Sequence, residues 1–358
     1  MPPLRRSLVP ALLTVLALVA VACSDGDDKP APTTVARPRG TELVIGYLGQ
    51  ETGGVLASGT PATEGRDALA AWARWTNDAG GIAGHPVRIA VRDGGNEPAA
   101  TLAAANELVD TDGALAIVGQ QDTCCMAAWA EQVAGKGVAI IGGQSQTIAP
   151  LANPLVFAQA TSVLSQVYGQ LAKVKTAGKT RFGNLYCTEQ PSCGQVNDLL
   201  RSAAPKAGVV FAYDKAATAD QDFTAACLAA KEAAVEVLQL DGVSVDRVTR
   251  DCSRQQFTPT YGIVGDAKAQ LEVPELDGAL GTLPAFPAFF VGPETKDFRA
   301  AMRRYAPSLA PTVVSSEAWL AGLAFRLAVE RADVASPTRA DVVRGLLTFQ
   351  GETLGGLA

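Results

Sequence analysis

Histidine is almost missing from this chain: His85 stands alone among 358 residues. Chemistry that needs an imidazole base, a His-ligated zinc or a Ser-His-Asp triad therefore has one candidate at most. His85 sits in Gly80-Gly81-Ile82-Ala83-Gly84-His85-Pro86, whose turn formers predict an exposed turn between a helix and a strand. Charge is also sparse, at 18% of residues with a formal net charge of -6, and there is no long basic block. A nucleic-acid partner has no electrostatic footprint in such a chain. The 48% hydrophobic content, set against so little charge, excludes a disordered chain. No Cys-x-x-Cys pair occurs, which with the shortage of histidine argues against a metal site. Nothing in the sequence asks for a cofactor. After residue 22 no apolar run is long enough to span a bilayer.

What is present begins with an export signal. Arg5 and Arg6 precede an apolar run from residue 8 to residue 22, the length of a signal-peptide core and short for a membrane span. The run ends in Val19-Ala20-Val21-Ala22-Cys23, which resembles a bacterial lipobox with Ala20 in place of the usual leucine. That resemblance implies lipidation of Cys23 and anchoring at the outer face of the cytoplasmic membrane; a plain signal peptide cut near Ala22 is the alternative. Residues 24–40 are polar and proline-rich, cannot offset their ordering entropy, and read as a flexible tether.

Six further cysteines remain: Cys124, Cys125, Cys187, Cys193, Cys227 and Cys252. An even set in an exported protein predicts disulfides. Cys187 and Cys193 flank a short loop that closes easily, and Cys227 and Cys252 fall on neighbouring helices. Cys124 and Cys125 are adjacent, so they either form a strained vicinal bridge or cross-pair with Cys187 or Cys193.

The length suits two domains, and the body alternates strand and helix signals. Residues 41–48 read as a buried strand, 61–77 as a helix with Ala68, Leu69, Trp72 and Trp75 on one face, and 87–92 as a strand. A helix over 97–110, a strand over 114–118, a helix over 126–134 and a strand over 138–141 follow. After a break, strands over 182–186, 209–212, 235–240 and 260–264 alternate with helices over 195–204, 222–233 and 247–255. This pattern predicts an α/β fold of two Rossmann-like lobes, each with a parallel sheet covered on both faces, joined by a hinge. An apolar strand at 280–283 links back, and helices over 296–305 and 316–331 rejoin the first lobe. The expected organisation is a lipoprotein signal peptide over 1–23, the tether, lobe one over 41–160, lobe two over 161–281 and a return to lobe one over 282–350. Residues 351–358 read as the start of a third crossing, either truncated or ending in a thinner lobe. Ligands of open parallel sheets sit outside the carboxyl ends of the strands. That points to the loops at 49–60, 119–125, 142–147, 186–194, 241–244 and 264–267.

Several segments at these places resemble one family. They are Ile45-Gly46-Tyr47-Leu48 through Thr52-Gly53, Asn77-Asp78-Ala79-Gly80-Gly81-Ile82 with Gly84, Ala116-Ile117-Val118-Gly119, Gly137-Val138-Ala139-Ile140-Ile141, and Asp222-Phe223-Thr224. Together they resemble the type I periplasmic binding proteins, in the branched-chain amino-acid-binding branch that serves ABC importers. The resemblance covers residues 41–358. It implies a monomeric, non-enzymatic receptor that closes by hinge motion around a small polar solute (an amino acid, an amide or similar) and docks on ABC permease subunits. It further implies that Thr123, Ser145 and Gln146 hold a ligand carboxylate through short polar side chains and backbone N–H groups. Gln50, Thr52, Gln121, Asp122 and Gln144 join them in lobe one, and Tyr186, Asp241 and Val264 face them from lobe two. The family's acidic clamp for an ammonium falls near Val264 and its aromatic near Val243, neither of which can do that work. Asp241, Asp266, Glu51 and Asp122 are the acids placed to substitute. Gln50, Gln120, Gln121, Gln144 and Gln146 suit a neutral amide or hydroxyl group, or else are solvated loop tips. A ligand-sensing receptor on the same fold is the alternative function. An enzyme built on Cys124, Cys125 or Cys187 lacks a base beside the thiol. Replacing Cys23 by serine is expected to abolish incorporation of labelled palmitate and to move the protein from the membrane to the soluble fraction; unchanged labelling would place any lipid elsewhere.

Overall fold

A computed structural model of the chain describes residues 38–52, 63–95, 97–122, 125–143, 152–159, 161–218, 221–264 and 272–358. The export core, Cys23 and most of the tether lie outside the described residues.

The apolar run Leu43–Gly49 forms β1, buried on both faces as a central parallel strand must be. Helix α1 (Glu64–Asp78) turns Ala68, Leu69 and Trp72 into the core. It stops at Gly80 and Gly81, whose φ angles of +99° and +77° are open to glycine without strain. Then come β2 (Val87–Asp93), α2 (Pro98–Asp110), β3 (Ala116–Val118), α3 (Met126–Gly135), β4 (Ala139–Ile141) and β5 (Val156–Phe157). Their sheet has the order β2-β1-β3-β4-β5 and all its pairings are parallel.

Lobe two repeats the plan. It comprises α4 (Val163–Thr176), β6 (Arg181–Cys187), α5 (Pro191–Ala203), β7 (Val210–Ala217), α6 (Thr224–Glu232), β8 (Val237–Asp241), α7 (Val245–Arg254), β9 (Thr260–Val264) and β10 (Leu280–Thr282). The second sheet, order β10-β9-β8-β6-β7, is parallel throughout. The chain then crosses back beside its outward path, where Thr161 N donates to the Pro284 carbonyl at 2.7 Å. Helices α8 (Lys296–Tyr305), α9 (Val313–Ala332) and α10 (Arg339–Leu346) follow. They bring Phe298, Trp319, Phe325 and Leu346 into one core with Tyr47 and Trp72 of lobe one. Gly322 of α9 is required there, because a Cβ at that position would lie 2.5 Å from the Trp72 indole.

Three elements depart from the sequence expectation. Strand β5 has two half-buried residues, too few to show a period. Helix α4 buries Gln166 and Gln170 beside Val167, Leu171 and Val174, so its inner stripe is not apolar. Helix α10 spans eight residues and is set by a capping box between Thr338 and Asp341. His85 also differs from expectation: it occupies a turn but is only 6% exposed. The lead-in to β1 folds over it, with Arg39 N and Gly40 N donating to the Gly84 carbonyl and His85 Nδ1 lying 2.8 Å from the Thr41 carbonyl.

Glu64 ties the returning helices to lobe one. It opens α1 and is fully buried. Its Oε1 accepts from Thr312 N at 2.7 Å, Thr312 Oγ1 at 3.0 Å, Ser315 N at 3.1 Å and Ser315 Oγ at 2.5 Å. Thr312 is the N-cap of α9, so the carboxylate sits on the positive end of that helix. Burial pushes the Glu64 carboxyl pKa up, opposed by these four bonds. Glu64→Ala strands buried donors at a helix end and is expected to cost about 3 kcal/mol in urea denaturation. Glu64→Gln keeps an acceptor and should cost less than half of that, whereas an alanine variant within about 0.5 kcal/mol of the parent would refute the role.

Candidate functional site

Parallel pairing delivers the carboxyl ends of all strands to one edge of each sheet. In lobe one, β1 runs out into Gln50, Glu51 and Thr52 beside the end of β2. There Asp93 organises the loop: its carboxylate accepts from Glu51 N, Thr52 N and Gly95 N, each at 2.9 Å, and from the Thr52 hydroxyl. Burial opposes ionisation of Asp93, but the hydrogen bonds from Thr52, Gly95 and Glu51 together hold its pKa below the ordinary value. The Thr52 hydroxyl is thus committed to the loop. Glu51 Oε2 pairs with Arg66 Nη1 at 2.5 Å.

Asp122 is also committed. It is 1% exposed, its Oδ1 accepts from Cys125 N at 2.8 Å, and its Oδ2 accepts from Trp129 Nε1 at 2.6 Å. It therefore pins the start of α3. Gln50, Gln120 and Gln121 are 6%, 0% and 2% exposed, so they are buried groups and not solvated tips. The loops after β3 and β4 touch through backbone: a Cβ at Gly143, φ +89°, would fall 2.1 Å from the Gln120 carbonyl oxygen. Thr123, Gln144, Ser145, Gln146 and Asp266 lie outside the described residues.

In lobe two the strand register assembles a row. Tyr186 pairs with Asp241, Leu240 with Ile263, and Val264 with Thr282, so Tyr186, Asp241, Val264 and Thr282 stand along the ends of β6, β8, β9 and β10. The Cys187–Cys193 disulfide braces this rim, and Gly242, φ +68°, gives it room, since a Cβ there would lie 2.8 Å from Cys187 Sγ. Cys227 of α6 is bonded to Cys252 of α7. Both expected bridges are present, which removes cross-pairing of Cys124 or Cys125 with Cys187 or Cys193. Cys125 is disulfide-bonded, with its partner outside the described residues.

Behind the row lies a cavity of about 40 Å³ between the sheet and helices α4 and α5. Its polar lining is Gln166, Gln170, Gln239, Asp241 and Thr282; valines and Leu200 supply the rest. Asp241 is half-buried as a residue, yet its Oδ2 is sealed from solvent and has no hydrogen-bond partner. Burial pushes its pKa from 3.8 up to about 6. Gln166, Gln170, Gln239 and Thr282 escaped sequence reasoning. The available signal was the polar interruption of two apolar stripes, in α4 and in β8.

With this geometry in view, comparison with known proteins is decisive. Residues 42–357 match the periplasmic binding protein family. The chain belongs to that family, and it is a solute-binding protein. No curated protein matches it. Among solved structures it is similar to an ABC transporter substrate-binding protein of Aeropyrum pernix, with TM-score 0.76, 16% identity and coverage of 89% of this chain and 87% of that one. It is similar to the substrate-binding protein LivJ of Streptococcus pneumoniae, solved with isoleucine, with TM-score 0.67, 16% identity and coverage of 85% and 87%. It is also similar to a leucine-binding protein, LivK, of Thermotoga maritima, with TM-score 0.66, 18% identity and coverage of 85% and 87%. At these identities the likeness shows the fold.

The raised carboxyl of Asp241 has a defined sign. The folded chain keeps a proton that the unfolded chain releases near 3.8, so this group lowers stability as pH rises from about 4 to about 6. Urea midpoints measured across that window are expected to fall less in Asp241→Asn than in the parent; equal slopes would show that Asp241 titrates normally.

Proposed function

We propose that this solute-binding protein is exported, held at the outer face of the cytoplasmic membrane by a lipid on Cys23, and delivers a small polar solute to an ABC importer. The observation that carries the reading is the pair of five-stranded parallel sheets, each ending in polar groups at its carboxyl edge. The solute classes favoured are amino acids and amides, in keeping with the isoleucine bound by the Streptococcus pneumoniae relative. Thr123, Ser145 and Gln146 hold the solute's carboxylate in lobe one, with Gln50, Gln121 and Gln144 around it. Tyr186 and Val264 face it from lobe two. Thr52 and Asp122 support the loops and do not touch it. Lobe one comprises 41–160 and 282–350, lobe two 161–281, and the paired crossings at Thr161 and Pro284 serve as the hinge.

The protein does no chemistry on its solute. Cys125 and Cys187, two of the thiols a nucleophile would require, are locked in disulfides. No helix among the described residues is long and apolar enough to cross a membrane. The test is calorimetry and thermal shift of the purified protein against a panel of amino acids, amides and short-chain acids. A binder present at a hundred times its Kd should add about 2.7 kcal/mol of stability. Ser145→Ala should weaken that binding roughly tenfold. A broad panel in which no small solute shifts the melting would overturn the reading.

A further inference from the structure

The cavity behind the lobe-two row gathers buried oxygens that have no partner. Beside it, Asn184 Nδ2 donates to Asn197 Oδ1 at 3.0 Å, Asn197 Nδ2 to Asp214 Oδ2 at 3.1 Å, and Arg201 pairs with Asp214 at 2.5 Å, which leaves Asn184 Oδ1 unpaired. At the cavity three oxygens are left over. Gln170 Oε1, Gln239 Oε1 and Asp241 Oδ2 are each sealed from solvent, and none has a hydrogen-bond partner. Gln170 and Gln239 are 2% and 3% exposed. The amide of Gln170 is oriented by its Nε2, which donates to the Leu280 carbonyl at 3.2 Å, so its oxygen is the free acceptor.

These oxygens share one need. Among the residues lining the cavity there is no lysine, arginine or histidine, and Asp241 is the one charged group. Burying a carboxylate with no counter-charge is costly, and so is each buried acceptor with no donor. A water molecule brings two donors but no charge. The volume of about 40 Å³ admits an ion with a water or two. One carboxylate and two neutral amide oxygens balance a single positive charge, and hard oxygen donors suit an alkali ion or ammonium. No group of three or more acidic, histidine or cysteine side chains that could hold a metal ion occurs among the described residues, so the donor set for a divalent ion is lacking.

We infer that this cavity binds a small monovalent cation, an alkali ion or ammonium, through Asp241, Gln239 and Gln170. The site shares Val264 with the solute-facing row and goes beyond solute capture. It also bears on what lobe two accepts. With the cation in place Asp241 is neutralised and the rim suits an uncharged or anionic group; without it the rim carries a bare acid.

The test compares melting of the full chain in detergent in sodium, potassium, ammonium and tetramethylammonium chlorides at equal ionic strength. At least one small cation should raise Tm saturably by about 2 °C over the bulky one. That increment should vanish in Asp241→Asn and shrink in Gln239→Met. Crystals grown with rubidium should show an anomalous peak in the cavity, a readout that stands even if a variant fails to fold. Equal melting in all four salts, an undiminished increment in Asp241→Asn, or plain water in the cavity at saturating rubidium would overturn the proposal. If amine-bearing solutes alone raise Tm, the cation site falls while solute capture stands. A cation response with no response to any solute leaves the cation site standing and removes solute capture.

Discussion

Parallel strand pairing is the constraint from which the rest of this molecule follows. A parallel ladder cannot close with a tight hairpin, so every strand must be followed by a crossover. The repeated crossovers bury both faces of each sheet and send every strand end to the same edge. Among the described residues, ten strands in two sheets obey this rule without exception. The polar residues that follow β1, β3, β6 and β8 therefore need no individual instruction to converge. The same rule explains the length of the path back, because three helices must leave lobe two and cover the remaining face of lobe one.

Four carboxylates divide into three that hold the scaffold and one that does not. Glu64 seats α9 on α1, Asp93 shapes the loop after β1, and Asp122 fixes the start of α3 through Cys125 and Trp129. Each accepts at least two hydrogen bonds, although Glu64 Oε2 is sealed without a partner. Asp241 accepts none and has a sealed oxygen, and Gln170 and Gln239, which line the same cavity, each have one in the same condition. Three such oxygens on residues lining one small cavity mark it as a place for something other than protein.

Much of the fold was legible. The apolar stripe of Ala68, Leu69 and Trp72 announced α1, and the short apolar runs at 114–118 and 138–141 announced buried strands, because period and length suffice for such elements. The Cys187–Cys193 and Cys227–Cys252 bridges could be read from spacing, since loop length and neighbouring helices limit the partners. Helix α4 was not legible. Its inner face carries Gln166 and Gln170, and a buried glutamine looks like a solvated one until its surroundings are known. The loop-holding bonds of Thr52 and Asp122 were hidden for the same reason. An acid or a hydroxyl on a strand-end loop has the same spelling whether it faces a ligand or ties its own loop.

By itself, the sequence determined the alternation of strands and helices, the two lobes and the covalent bridges. These depend on periodicity and chain distance, which are local. Tertiary structure alone decided which polar groups are satisfied: Glu64 finds its donors 248 and 251 residues away, while Asp241 finds none. Hydrogen-bond satisfaction and burial are properties of the surroundings, and residues that are distant along the chain supply them.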